Sequence, residues 1–392
     1  MPEEAARGAR VALVHDFLLD LRGAERVFLS LCDIFPQADV FTAVYDGRGT
    51  EGRFAARDVQ TSFLQAARPT ARTFRALLPL YPAAMESLDL RGYDLVLSSS
   101  SAWAHGVIPD EDAVHVCYCH NPFRYAWNAR DETLARRDPA TRAALRVIFQ
   151  RWRQWDWIAA QRVDRYVANS ETTRRRIRRY FGRASDVVHP PVATERFADG
   201  DGVAGPEYLV LSELVAHKHL DVAVRAFNAL RLPLLVVGDG PDERRLRRLA
   251  GPTIRFAGRL TDADTTRAVR RARALVVTAQ EEFGIAAVEA QAAGRPVIAL
   301  DAGGVRETVV DGVTGTFFGG PDPDALADAV RRFDVDAVDA RACAENARRF
   351  DERHFRAAVG AIADAALAGD RMPRDGARPR TRRRGRGLAR AA

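Results

Sequence analysis

Short apolar runs alternate with amphipathic stretches along the first half of the chain. Apolar runs rich in β-branched residues predict strands at residues 10–15, 39–44, 93–98, 114–119, 164–169 and 186–189. Between them, apolar residues recur at helical spacing and predict helices at residues 24–35 and 139–163. Ser170 followed by Glu171 is typical of a helix cap, here before a helix at residues 172–180.

The second half alternates more regularly. Strands are predicted at residues 208–212, 234–237, 254–257, 274–278 and 296–300, and helices at 220–230, after Pro241, at 262–272 and from Phe283 to Gly294. Later helical patterns cover residues 322–333, 336–350 and 352–367. Strands that alternate with helices of this length favour parallel βαβ sheets.

A break in the pattern divides the chain. Pro190 and Pro191, followed by a Gly- and Asp-rich run at residues 199–205, predict a domain boundary. The fold class is therefore α/β, with two Rossmann-like domains facing across a cleft. The predicted organisation is an N-terminal domain at 8–192, a C-terminal domain at 206–350, a helix at about 352–369 that crosses back to the N-terminal domain, and a tail at 371–392.

Length and composition agree with this division. A chain of 392 residues is too long for one ordinary hydrophobic core, and its 47% apolar content is ample for burial. The net charge of +7 is local, because residues 370–392 contain nine Arg and two Asp. The rest of the chain is formally neutral, which excludes a globally basic nucleic-acid binder. The tail is predicted to be disordered, either as a solubilising segment or as an anchor to anionic lipid.

Cysteine usage and the apolar pattern bear on compartment and metals. The four cysteines are too few for a disulfide framework in a chain of this length, and neither a signal segment nor a membrane span is predicted. We therefore expect a cytoplasmic protein, at most peripheral on the inner face of the membrane. His115, Cys117 and Cys119 alternate along one strand, but their spacing favours buried packing over a metal site.

The segment 281–298 carries the most chemistry. Glu281 lies in a loop, and Glu289 lies about two turns into the helix that follows. Unpaired backbone N–H groups at Phe283, Gly284 and Ile285 would make the helix start an anion site. A carboxylate beside an anion site cannot bind the same anion, so Glu281 is expected to read hydroxyl groups. Phosphate next to hydroxyl groups indicates a nucleotide sugar.

Several linked segments resemble family 4 of the retaining glycosyltransferases, which have the GT-B fold. In the C-terminal half these are residues 218–221, 237–241, 256–259, 281–297, 303–309 and 311–315. In the N-terminal half, residues 14–17, 22–27, 93–100 and 117–127 resemble a mannosyltransferase-like branch that builds bacterial O-antigens and exopolysaccharides. The resemblance implies a hexosyltransferase that uses a nucleotide sugar, with GDP-mannose favoured, and needs no metal or other cofactor.

Preorganised hydrogen-bond donors usually supply the largest catalytic contribution when charge develops on a leaving group. Lys218 and the N–H groups at Phe283, Gly284 and Ile285 are predicted to stabilise the departing diphosphate. By resemblance, Glu281 binds the hydroxyls of the transferred sugar and Glu289 those of the ribose. Retention in such enzymes needs no protein nucleophile.

Other positions are predicted to line the cleft. Gly23 opens the first helix and allows close approach of a phosphate or sugar. Many relatives carry an Arg where this chain has Glu213, so Arg259 is expected to supply the second positive charge. His120 is expected near the donor sugar and acceptor. Arg124 is an acceptor-side candidate, with an interdomain ion pair as the alternative.

The sequence favours three other functions less strongly. A UDP-sugar-dependent transferase of the same fold differs only in the donor. A degenerate, non-catalytic homologue acting as a binding partner is favoured only by Glu213 and by the reduction of the usual double glycine to Arg22–Gly23. A Rossmann oxidoreductase is disfavoured because no Gly-x-Gly-x-x-Gly follows the first strand. The acceptor is expected to be a glycan or a polyprenyl-linked sugar, and nucleic acid is not an expected partner.

Overall fold

The computed structural model describes residues 8–135, 137–198 and 203–370. Within these ranges there are thirteen strands: β1 (Val11–His15), β2 (Asp39–Thr42), β3 (Val59–Thr61), β4 (Leu95–Ser100), β5 (Val114–Cys119), β6 (Arg165–Ala168), β7 (Ser185–Val187), β8 (Tyr208–Leu211), β9 (Leu234–Val237), β10 (Ile254–Gly258), β11 (Leu275–Val277), β12 (Val297–Leu300) and β13 (Gly315–Phe318). They form a seven-stranded sheet in the order 3-2-1-4-5-6-7 and a six-stranded sheet in the order 10-9-8-11-12-13. Every neighbouring pair is parallel, as predicted.

Helices connect the strands. The α-helices are α1 (Gly23–Ile34), α2 (Tyr81–Glu86), α3 (Arg130–Ala135), α4 (Pro139–Ala160), α5 (Glu171–Phe181), α6 (Glu195–Ala198), α7 (Leu220–Leu230), α8 (Glu243–Leu249), α9 (Asp262–Arg271), α10 (Ile285–Ala292), α11 (Val305–Thr308), α12 (Pro323–Arg332), α13 (Ala340–Arg348) and α14 (Glu352–Leu367). Short 3-10 helices lie at Phe63–Ala67, Phe74–Leu80, Ala104–Gly106, Ala216–Lys218 and Val335–Ala337. No helix within the described ranges has the length and apolar character needed to span a bilayer.

Most predicted elements are present within one or two residues of their predicted ends. The predicted cap at Ser170 is confirmed, since its hydroxyl accepts a hydrogen bond from the N–H of Thr173 at 3.1 Å. Strands β3 and β13 were not predicted. The first is a three-residue strand at the sheet edge with no buried residue, so it lacks an apolar run. The second begins at Gly315 in a segment that reads as a turn.

The C-terminal helix returns to the N-terminal domain, as predicted. The two segments that link the domains meet at Val192. Its N–H donates to the Phe350 carbonyl at 3.1 Å, and its carbonyl accepts from the N–H of Glu352 at 3.2 Å. From there α14 buries Phe355 and Val359 in the core that covers one face of the first sheet. This apolar burial holds the helix against the N-terminal domain, although the residues just before it in the sequence belong to the C-terminal domain.

Three consecutive serines of β4 each hydrogen-bond a histidine. The hydroxyl of Ser98 lies 2.8 Å from His115 Nε2, and that of Ser100 lies 3.3 Å from His105 Nδ1. Ser99 contacts His120 Nε2 at 2.9 Å. Cys117 and Cys119 are packed in a separate apolar cluster. Among the described residues no group of three or more potential ligands could hold a metal ion.

Buried His115 makes folding stability depend on pH. Burial lowers the pKa of His115 to about 3, whereas an unfolded chain titrates near 6.5. The unfolded state therefore binds the extra proton first, so stability is fully present above about pH 6.5 and falls as the pH drops towards 3. We expect His115 alone to lower the free energy of unfolding by about 1.4 kcal/mol per pH unit in that window.

Urea unfolding at pH 7.5, 6.5 and 5.5 measures this dependence. The variant His115→Gln removes the titrating group, so its stability is expected to fall less steeply below pH 6.5 than that of the wild type. Equal slopes for the two proteins would contradict a buried neutral His115.

Candidate active site

The carboxyl ends of the two sheets enclose one large cleft of about 1050 Å³. All ten site residues predicted from the sequence line it: Gly23, His120, Arg124, Lys218, Arg259, Phe283, Gly284, Ile285, Glu281 and Glu289. They follow strands of both sheets, and parallel strands collect their carboxyl ends at one edge. The cleft is therefore built jointly by the two domains.

Lys218 and Glu281 form the ion pair at its centre. Lys218 ends the 3-10 helix that follows β8, and its Nζ lies 2.6 Å from Glu281 Oε2. Both side chains are about four-fifths buried, with 16% and 20% exposure. Lys218 is also the only lysine in the whole sequence, among 59 basic Lys and Arg residues. The compact, mobile ammonium group has three donors, so it can bind Glu281 and an anion together.

Backbone donors lie beside this ion pair at the start of α10. Gly284 adopts φ 98°, a left-handed conformation that favours glycine, and it precedes the first helical residue. Within the described ranges, the N–H groups of Phe283, Gly284 and Ile285 have no hydrogen-bond acceptor in the protein. Unpaired N–H groups at a helix start can bind an anion, and the anion site at these three residues stays a prediction.

A second glycine loop holds these donors in place. The N–H of Gly304 donates to the Glu281 carbonyl at 2.8 Å. A Cβ on Gly304 would lie 2.2 Å from the Glu282 carbonyl oxygen and 2.4 Å from Phe283 Cα. The close approach of the two backbones therefore requires glycine, and it fixes the position of Glu281.

We expect Gly304→Ala to displace the loop at 281–283 and to weaken both folding and ligand binding. Overpacking of this kind costs about 1–3 kcal/mol. Thermal unfolding and nucleotide titration check the two effects. Gly319→Ala is the matched control, since a Cβ there meets nothing within 4 Å. Equal behaviour of the two variants would contradict a positioning role for Gly304.

Glu213 is paired with a cation from the opposite domain. Arg22 Nη1 lies 3.1 Å from Glu213 Oε2, and Arg22 Nη2 lies 3.8 Å from Asp239 Oδ1. Arg259 points instead to the N-terminal domain, where it contacts the Leu21 carbonyl at 3.2 Å. Arg259 thus lines the cleft without reaching Glu213, and Arg22 is the cation that compensates it. Arg22 was not predicted as a site residue, because no local pattern indicates a pairing across domains.

Glu289 lies on the cleft face of α10, five residues after Gly284, or about one and a half turns. Burial raises the pKa of Glu289, while the positive charges of Arg196 and Arg26 oppose that shift. Arg26 reaches across the cleft to Asp262, with Nη2 and Oδ1 2.6 Å apart. Glu289 thus lies at the interdomain face near two arginines, where its carboxylate can accept hydrogen bonds.

Arg124 forms the interdomain ion pair that was the alternative to an acceptor role. Its Nη2 lies 3.0 Å from Glu282 Oε1, and Arg176 Nη1 lies 3.3 Å from the same oxygen. Burial raises the pKa of Glu282, but the charges of Arg124, Lys218 and Arg176 outweigh it and hold the pKa below its usual range. Glu282 thus links the two domains. Its position next to Glu281 is the only feature of the sequence that could have marked it as a functional residue.

His120 closes β5 and faces the cleft with 9% of its surface exposed. Its backbone carbonyl accepts a hydrogen bond from the Thr173 hydroxyl at 3.1 Å. Burial and the neighbouring His15 lower the pKa of His120 to about 3, so its ring is neutral at physiological pH. A neutral imidazole at this place can exchange hydrogen bonds with a polar ligand but cannot act as a cation.

The arrangement of the two domains matches a known architecture. Two Rossmann-like domains that face across a cleft form the GT-B architecture of glycosyltransferases, and the predicted fold is confirmed. The solved structure of HepE from Anabaena in complex with UDP and glucose superposes with a TM-score of 0.66 at 17% identity, over 90% of this chain and 99% of that one.

Two family models and several sequence relatives that match parts of this chain are glycosyltransferases. Residues 21–196 match Glycosyltransferase Family 4, and residues 193–350 match Glycosyl transferases group 1. The D-inositol 3-phosphate glycosyltransferase of Streptomyces avermitilis is 34% identical over 242 residues, 52% of each chain. The GDP-mannose-dependent alpha-(1-6)-phosphatidylinositol monomannoside mannosyltransferase of Mycolicibacterium smegmatis is 34% identical over 193 residues, 41% of this chain and 50% of the relative. This chain thus spans about half the length of these curated relatives.

Proposed function

We propose that this protein is a retaining glycosyltransferase that moves a hexose from a nucleotide-diphosphate sugar to a glycan or lipid-linked acceptor. One observation carries the proposal: the Lys218–Glu281 pair lies beside unpaired N–H groups at the start of α10. This arrangement offers positive charge to a diphosphate and a carboxylate to sugar hydroxyls at the same place. The family matches over residues 21–350 support the same reaction class.

In the proposed reaction the bond between the anomeric carbon and the diphosphate oxygen breaks as the acceptor oxygen attacks. Lys218 and the N–H groups of Phe283, Gly284 and Ile285 stabilise the negative charge that develops on the diphosphate. The dipole of α10 adds a smaller favourable contribution. Attack comes from the face that the diphosphate leaves, and a phosphate oxygen takes the acceptor proton, so the configuration is retained without a protein nucleophile. No metal ion takes part in this scheme.

Glu281, Glu289, His120 and Arg124 hold the substrates in this proposal. Glu281 accepts hydrogen bonds from the transferred sugar, and Glu289 accepts them from the ribose. His120 and Arg124, which both line the cleft, contact the acceptor in this proposal. The Arg124 guanidinium has five N–H groups, and those that face neither Glu282 nor His217 would bind the acceptor.

GDP-mannose is the favoured donor. The mannosyltransferase-like segments of the N-terminal half support mannose, as does the relative that uses GDP-mannose. A UDP-sugar is the second candidate, because the similar fold of HepE holds UDP and glucose. The proposed setting is cell-surface polysaccharide synthesis at the inner face of the membrane, where the Arg-rich tail at 371–392 would meet anionic lipid. That tail lies outside the described residues.

A donor-turnover assay tests the proposal. The purified protein is incubated in EDTA with GDP-mannose or with UDP-glucose, and release of the nucleoside diphosphate is measured with and without an added acceptor. We expect release from one donor, with the anomeric configuration retained in the NMR spectrum of the product. Release only after addition of a divalent cation would overturn the metal-independent scheme. Binding and turnover of neither donor would favour the non-catalytic alternative.

Arg22 is expected to offset the negative charge of Glu213 towards the diphosphate. Arg22→Glu would place two carboxylates together near Asp239, and we expect nucleotide binding to weaken about 10–100-fold through like-charge repulsion. The swapped variant Arg22→Glu/Glu213→Arg restores the cation on the other domain, so its affinity should return to within about tenfold of the wild type.

Calorimetric titration measures these affinities. Arg255→Glu is the matched control, since Arg255 pairs with Glu207 at 3.0 Å on an exposed surface of the same domain as Glu213. If Arg22→Glu binds nucleotide as well as Arg255→Glu does, Arg22 has no part in the site.

A further inference from the structure

A line of buried polar side chains leads from the start of α1 to the cleft. Glu25 Oε1 lies 3.7 Å from His15 Nε2, and His15 Nδ1 lies 3.1 Å from the Ser99 hydroxyl. The same hydroxyl lies 2.9 Å from His120 Nε2. Register places His15 opposite Ser99 on the neighbouring strands β1 and β4. All four residues are at most 9% exposed.

The single proton of the Ser99 hydroxyl decides how this line is protonated. Two histidine nitrogens contact the hydroxyl, so it can donate to one of them and must accept from the other. The Glu25 carboxylate faces His15 Nε2 and favours a proton there. When His15 is neutral, a proton on Nε2 leaves its Nδ1 as an acceptor for Ser99, and Ser99 then accepts from His120 Nε2–H.

This order leaves His120 Nδ1 as an unprotonated acceptor. Nδ1 has no hydrogen-bond partner in the described chain, and it is not among the fully buried unpaired atoms. Because His120 lines the cleft, Nδ1 is open to a ligand there. His115 on the same sheet offers a contrast, since its Nδ1 is both buried and unpaired.

We propose that Glu25, His15 and Ser99 are positioning residues that hold His120 in the Nε2–H form, so that Nδ1 accepts a hydrogen bond from a substrate hydroxyl. His15 and Ser99 are not among the described residues that line the cleft, so they act only through His120. The identity of the hydroxyl, on the transferred sugar or the acceptor, rests on the proposed glycosyl transfer. The protonation of His120 does not.

Histidine ¹⁵N NMR of the full chain tests the relay without any substrate. With the His120 signals assigned by loss in His120→Asn, we expect Nε2 to appear protonated and Nδ1 unprotonated at pH 7.5. Ser99→Ala should shift the His120 signals towards a mixture of both forms. Ser98→Ala is the matched control, because it removes an equivalent buried contact to His115 and should leave His120 unchanged. A protonated Nδ1 in the wild type would overturn the relay.

Kinetics test what Nδ1 does. An Asn side chain places its amide oxygen near the position of Nδ1, whereas Gln reaches the position of Nε2. His120→Asn is therefore expected to keep at least fivefold more kcat/KM than His120→Gln. Ser99→Ala should lose roughly tenfold in kcat/KM, the size of one hydrogen bond, and Ser98→Ala should lose little.

A failure of the role proposed for His120 Nδ1 can be distinguished from a failure of the proposed function. If Gln exceeds Asn, or if Ser99→Ala matches Ser98→Ala, Nδ1 is not the substrate acceptor. If the wild type transfers no sugar at all, the proposed function fails, and the NMR spectrum alone decides the relay.

Discussion

Replacing Lys218 by alanine is expected to lower kcat/KM for sugar transfer about 10²–10³-fold, or about 3–4 kcal/mol of transition-state stabilisation. The ammonium group is the cation next to the α10 donors, and it gains most when charge develops on the departing diphosphate. The same change should weaken nucleotide binding, because part of this attraction exists in the ground state. Calorimetry and initial-rate measurements give the two effects separately.

The single lysine also provides a chemical test on the wild-type chain. Reductive methylation with ¹³C-formaldehyde labels Lys218 and the amino terminus but no other side chain amine. We expect the Lys218 methyl resonance to shift when nucleoside diphosphate is added and to stay unchanged with the nucleoside alone. An unchanged resonance in both cases, together with full activity of Lys218→Ala, would remove Lys218 from the site.

Glu281→Gln is expected to lower kcat about 10²-fold while the affinity for free nucleoside diphosphate changes less than about threefold. Glutamine keeps the shape but loses the charge that strengthens hydrogen bonds from sugar hydroxyls, each worth about 1.5–3 kcal/mol. The nucleotide has no contact with this carboxylate in the proposed complex. Lys218→Ala is therefore expected to lower both nucleotide affinity and the rate of transfer, whereas Glu281→Gln is expected to lower mainly kcat.

Glu243→Gln is the control for this substitution. Glu243 lies in α8, pairs with Arg247 at 2.8 Å and does not line the cleft. Transfer by Glu281→Gln at the rate of Glu243→Gln, with folding unchanged, would show that the sugar subsite lies elsewhere.

Local sequence was sufficient for residues that directly follow a strand. Lys218 and Glu281 come after β8 and β11, and a parallel sheet brings such positions to one edge whatever the details of packing. The same rule placed His120 after β5. It could not give the direction of a side chain. Arg259 lines the cleft, but its guanidinium donates to the Leu21 carbonyl and lies 3.1 Å from Glu51 Oε1. Its contact with the diphosphate stays a prediction.

Pairings between domains had no local signal. Arg22 meets Glu213 although the two lie far apart in sequence, and their contact depends on how the two sheets face each other. The contact of His15 with Ser99 likewise depends on the register of β1 against β4. Sequence patterns predict that both strands exist, but a register is set by the packed sheet as a whole.

Calorimetric titration with GDP and with UDP, both in EDTA, tests whether this cleft is a nucleotide-binding donor site. We expect the wild type to bind one of the two nucleotides without metal and Lys218→Ala to weaken this binding at least tenfold. Preference for GDP would support mannose as the transferred sugar. Failure of the folded wild-type protein to bind either nucleotide would contradict a donor site in this cleft.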